Sequence, residues 1–97
     1  MSIALQLYRR FKQIPSNNEG YKDESILNEF CFDCEKLAVK RISIGGSFDI
    51  TIRYNFVDNS SLTVCDQLQI MNPAYVAVYL TVCTLGNKTV IQKSLKP

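Results

Sequence analysis

The chain has no histidine. That removes the side chain most often used for proton transfer near neutral pH, and with it the commonest metal ligand. A nucleophile elbow, a Gly-rich phosphate loop and a close pair of carboxylates in an apolar setting are missing as well, and the only Gly-Gly pair, Gly45-Gly46, sits between two strand-like segments. No residue is marked as catalytic, no cofactor is implied, and the reading is of a protein that is not an enzyme.

Long apolar runs are also lacking. The N-terminal stretch MSIALQLYRRFK is apolar only briefly, and its positive charges follow the apolar residues instead of preceding them. It fits neither a signal peptide nor a membrane span, so no membrane partner is expected. An intracellular setting, cytoplasm or host cytoplasm, follows as the expectation. There the four cysteines are free thiols or metal ligands, and the sequons at Asn59 and Asn87 are incidental. Charge of one sign is scarce too: 11 basic against 9 acidic residues leave +2, too little to call for a polyanionic partner.

What is present is the composition of a folded domain, 46% hydrophobic and 21% charged. A chain of 97 residues makes one domain, 1–97, and buries roughly 60–68% of its unfolded surface, enough for a core without staples. Ile3, Leu7, Phe11 and Ile14 recur at helical spacing and Pro15 ends the pattern, which predicts an amphipathic helix over 2–14. SNNEGY is loop chemistry. Asp23 or Ser25 then caps a second helix to about Lys36, with Ile26, Leu27, Phe30, Cys31 and Cys34 on one stripe. The helical segment is thus residues 1–36.

From Leu37 onward, residues 37–97, the period changes from 3.6 to 2. Five strands are predicted at 37–44, 46–57, 61–70, 74–84 and 88–95, separated by short turn-forming segments. Short connections pair each strand with the next. The predicted fold is α+β: two N-terminal helices packed on one face of a five-stranded antiparallel β-meander.

Hydrophobic pattern and turn length together predict the register. Ile44 is set opposite Phe48 and Ile42 opposite Ile50. Phe56 then faces Leu62, Tyr54 faces Val64, Leu68 faces Val76 and Val64 faces Leu80, while Ile91 meets Val82 and Leu95 meets Val78. This collects nearly every aliphatic residue on the helix-covered face. The other face would then carry Tyr75, Ala77, Tyr79, Thr81 and Cys83 beside Cys65, and Lys40 and Asp66 would be misfits in the row of Ile52, at the rim or at a bulge.

The strand VAVYLTVC is apolar on both faces, which makes its second face the best functional clue. Tyr75, Ala77, Tyr79 and Thr81 are the candidate protein-binding or dimer patch, tyrosine being enriched at interfaces. The expected function is a protein-binding module, homodimeric, of the kind a viral, phage or plasmid accessory protein would use as an inhibitor or host-factor antagonist. The alternative is an RNA- or DNA-binding accessory protein whose Arg9, Arg10, Lys12, Lys88, Lys93 and Lys96 hold phosphates, although no nucleic-acid motif accompanies them. A weaker alternative is a zinc module of Cys31, Cys34, Cys65 and Cys83; only the first pair has close spacing, and the predicted register turns Cys65 and Cys83 away from the helices. Redox chemistry at Cys31-Phe32-Asp33-Cys34 is disfavoured, since the motif lies late in its helix among carboxylates.

Overall fold

Helix α1, Ile3–Lys12, begins at Ser2, whose hydroxyl accepts the Leu5 amide at 3.0 Å. In the computed structural model, which describes residues 1–18, 20–45, 49–71 and 76–95 and only the backbone at 68–71, 76–79 and 95, its next free amides are satisfied from far along the chain. Asp58 accepts from the Ile3 amide at 2.8 Å and Ser60 from the Ala4 amide at 3.1 Å. A helix start has donors without intrahelical partners. A turn in the sheet supplies them here, and it fixes where α1 lands. The Ser60 hydroxyl, then the Ile3 and Ser60 amides, donate to the Asp58 carboxyl and hold it below its usual pKa.

Helix α2, Glu24–Leu37, is capped by Asp23, which accepts the Ser25 amide at 2.9 Å. Its buried residues Leu27, Phe30 and Cys34 follow the predicted stripe. Phe30 meets Phe11 of α1 with ring centroids 5.1 Å apart, Arg10 lies 5.9 Å over the Phe30 ring, and Arg10 reaches Asp33 at 2.7 Å. One aromatic pair and one ion pair therefore join the two helices.

Strands β1 (Lys40–Gly45), β2 (Asp49–Asn55), β3 (Ser61–Met71), β4 (Val76–Leu85) and β5 (Lys88–Leu95) form one antiparallel sheet in chain order. The α+β meander is as the sequence predicts. β1 starts later than predicted because Leu37 completes α2. The two outer edges of the sheet differ. At β5 the loop after α1 comes alongside: Lys22 bridges to Ser94 in parallel sense and donates its amide to the Lys93 carbonyl at 2.6 Å, while its ammonium group binds the Ile14 carbonyl. At β1 no other segment pairs, among the described residues.

The register departs from expectation at three of the four junctions, and at two of them the departure exchanges the faces. β4 and β5 pair as predicted, Val82 with Ile91 and Val78 with Leu95. β2 and β3 are offset by an even step, Tyr54 with Leu62 and Ile52 with Val64, so the faces hold. β1 and β2 slip by an odd step, placing Ile42 opposite Arg53 and Ile44 opposite Thr51. β3 and β4 do the same, placing Val64 opposite Cys83 and Asp66 opposite Thr81. An odd slip exchanges the two faces of a strand. β1, β4 and β5 are therefore turned over relative to the predicted arrangement.

The reason lies in volume. The helices bring Tyr8, Phe11 and Phe30 onto a sheet that contributes Tyr54 and Phe56, all buried. Interiors pack at crystal-like density, so large residues need small ones opposite. Cys83, Thr81 and Ser94 are the small buried residues on β4 and β5, and Ala4 and Cys34 serve on the helices. With Val82, Leu80 and Ile91 inward, those aromatic rings would have met branched chains. The odd slip at β3–β4 brings Thr81, Cys83 and Ser94 into the core with those rings and leaves Leu80, Val82 and Ile91 on the open face.

Candidate functional site

The register decides what the uncovered face of the sheet carries. β1 contributes Ile42 and Ile44, and β4 and β5 contribute Leu80, Val82 and Ile91. Ile44 is 61% exposed and Ile91 55% exposed, Ile42 is open to solvent, and Leu80 and Val82 are half-buried. Between these two apolar stripes run Thr51, Arg53, Thr63, Cys65 and Gln67. Both helices lie on the opposite face, so no layer of the described residues covers this one. A strand with two apolar faces normally has both covered. Here one is not.

The predicted patch is partly outside the described residues. Tyr75 is not described, and of Ala77 and Tyr79 only the backbone pairing is, with Ile70 and Leu68. Thr81 is a correction: it is buried on the helix-covered face, where its hydroxyl meets the Asp66 carboxylate. The odd slip at β3–β4 is the cause. The apolar open face is thus made by aliphatic residues that the predicted register had placed in the core.

The cysteines divide in a way the sequence did not show. Cys34 and Cys83 are fully buried and Cys31 is half-buried, all on the helix side, whereas Cys65 points to the open face. A four-thiolate site is thereby ruled out by the sheet between them, and no group of three or more His, Cys, Asp or Glu side chains is placed to hold a metal ion among the described residues. Burial, with smaller contributions from Asp66 and Glu35, pushes the Cys31 thiol up to about 12. Burial likewise raises Cys83 to about 12 and lifts Cys34. The first pair is therefore poor in thiolate near neutral pH, and burial outweighs the flanking carboxylates as the reason.

The five described candidate phosphate ligands, Arg9, Arg10, Lys12, Lys88 and Lys93, are not assembled. Arg10 is engaged by Asp33 and Lys12 lies 5.8 Å over the Tyr8 ring, both on the helical layer with Arg9. Lys93 is on the open face of β5, Lys88 is at the β4–β5 turn, and Lys96 lies outside the described residues. The sheet separates Lys93 from the helix cations.

A second feature, unmarked in the sequence, is a cleft of about 240 Å³ lined by Glu24, Leu27, Asn28, Asp66, Thr81 and Ser94. Lys40 and Asp66 do not share the row of Ile52, as the predicted register had them: Lys40 lies on the open face opposite Asn55, and Asp66 on the helix side opposite Thr81 and Ile50. Asp66 stays open to solvent at the cleft mouth, yet the atoms around it desolvate the carboxyl and raise its pKa, which the Thr81 hydrogen bond opposes only in part. A raised folded-state pKa means the ionised carboxylate costs stability above that pKa, and the cost fades as the pH falls toward the unfolded value near 3.9. Asp66→Asn should therefore melt higher than the unchanged chain at pH 7, with the gap closing by about pH 4. Thermal melts at pH 7, 5.5 and 4 check this; a variant that melts lower at pH 7 contradicts it.

Comparison with models of known families, with curated proteins and with solved structures finds no match. No helix among the described residues is long and apolar enough to cross a membrane.

Proposed function

We propose that the chain is a small non-enzymatic protein-binding module that works through the open face of its sheet. The observation that carries this reading is the uncovered apolar surface of Ile42, Ile44, Leu80, Val82 and Ile91. Single exposed apolar residues are ordinary, but clusters on an uncovered sheet face mark contact sites; Leu80, Val82 and Ile91 form one such cluster, and Ile42 and Ile44 a second beyond the polar rows. The rows of Thr63, Cys65 and Gln67 between the stripes supply the polar groups that a non-obligate interface mixes with apolar area. The absence of histidine and the raised thiol pKa values of Cys31, Cys34 and Cys83 support the non-enzymatic part of this reading.

Val82→Ser with Ile91→Ser removes two neighbouring apolar side chains of the open face without touching the helix-covered core. The double variant should lose the chain's cross-links to other proteins in cross-linking mass spectrometry of cells expressing it, while its far-ultraviolet circular dichroism stays unchanged. Retention of every cross-link would remove the reading.

A further inference from the structure

The geometry points to a second copy of this chain as a partner, joined edge to edge through β1 so that two sheets become one. This rests on the contact-face reading and names an occupant for one side of that face. The first ground is the asymmetry of the edges. β5 is partly shielded by the Lys22 bridge, whereas β1 offers its outer backbone groups unpaired among the described residues. An uncovered edge is a template for another strand unless a proline, bulge or inward charge blunts it. The β1 sequence Lys-Arg-Ile-Ser-Ile-Gly has no proline, and its two charges are at one end.

The second ground is self-complementarity. Two copies of an edge strand related by a two-fold axis perpendicular to the sheet pair antiparallel, with each residue opposite one of the same face. Centring the axis on Ser43 sets Ile42 opposite Ile44 of the second copy, twice, and Arg41 opposite Gly45. All four isoleucines then lie together on the open face, because Ile42 and Ile44 share it with Arg53 and Thr51. Centring on Ile42 sets Lys40 against Ile44, and moving the axis one pair further toward the N-terminus sets Arg41 against Arg41. Like charges directly opposite destabilise a strand pair.

The third ground is charge. In the Ser43-centred register Lys40 lies in the same row and on the same face as Asp49 of the second copy, two strands away or roughly 10 Å between backbones, within the span of a lysine and an aspartate side chain. Neither residue has an ion pair within the chain among the described residues; Arg41, by contrast, is already held by Glu35 at 3.1 Å. The two-fold axis makes this contact twice. Backbone pairing, two isoleucine pairs and two ion pairs make a modest interface, suited to a dissociation constant on the order of 10 μM.

Sedimentation velocity across a concentration series reads the association, with mass rising from 11.0 kDa toward twice that value. Three single-cysteine additions read the register under oxidation by diamide: Ser43→Cys should cross-link to itself at least tenfold faster than Ile42→Cys or Ile44→Cys, the disulfide being located by peptide mass. Ile42→Lys with Ile44→Lys should weaken self-association at least tenfold with unchanged circular dichroism. A single-chain mass at every concentration would overturn the inference while leaving the contact-face reading to its own test at Val82 and Ile91. A dimer that survives the double lysine variant, or that favours the Ile42 cross-link, would overturn the β1 edge or its register.

Discussion

Cys83→Asp is expected to unfold the domain, while Val82→Asp, one residue earlier in the same strand, leaves it folded. Cys83 is 0% exposed in the core cluster, opposite Val64 and near the Cys31 and Cys34 thiols, with no cation acting on it among the described residues. An unpaired carboxylate there costs several kcal/mol or takes up a proton, and the side chain is larger than the thiol it replaces in a filled core. A domain of this size holds about 5–15 kcal/mol in all, so one such substitution removes most or all of it. Val82 lies on the uncovered face, half-buried against Ile91. Asp at that position loses strand propensity and some apolar contact, a loss of about 1–2 kcal/mol. Chemical denaturation of both variants decides it. The register read from hydrophobic pattern and turn length predicts the reverse order, so the pair of variants tests the odd slip between β3 and β4 directly.

Phe30→Ala should lower the melting temperature by roughly 15–30 °C, and Phe32→Ala by almost nothing. Phe30 is 0% exposed in the core cluster and joins α2 to α1 through the Phe11 ring. Truncating a buried phenylalanine to alanine costs about 3–5 kcal/mol through lost transfer energy and the cavity left behind. In a chain of this length 1 kcal/mol moves the midpoint by about 4–8 °C. The Arg10 guanidinium would also lose the ring it lies over, although its pairing with Asp33 remains. Phe32 is 65% exposed on the solvent side of the same helix, and its removal should stay within about 0.5 kcal/mol. Differential scanning calorimetry of the two variants gives the comparison. Equal losses would mean that α2 is rotated about its axis from the orientation described.

The Phe30 and Phe32 contrast was legible in the sequence. Only one of the two falls on the stripe with Leu27 and Cys34, because 3.6 residues make a turn and an α-helix has no alternative register. The same holds for the caps and turns: Asp23 before α2, and Asp58-Asn59-Ser60 between β2 and β3, each have side chains that satisfy backbone donors nearby. The role of Asp58 and Ser60 at the start of α1 was not legible, since it joins residues more than fifty positions apart. Nor was the cleft at Asp66, whose walls come from α2 and three strands.

For the candidate site the limit was one of symmetry. β4 has branched or aromatic side chains at both parities, so the hydrophobic pattern allows either face to be the inner one. Counting aliphatic residues favoured Leu80, Val82 and Ile91 inside. What decided otherwise was the size of the helix side chains, a property of a different region of the chain. Local spacing and turn chemistry by themselves determined two helices, five strands, their order and their antiparallel sense. The inner face of β4 and β5, and with it the surface they leave open for a partner, was fixed only when small residues of these strands entered the core with Tyr8, Phe11 and Phe30, because close packing compares volumes across layers that sequence neighbours cannot see.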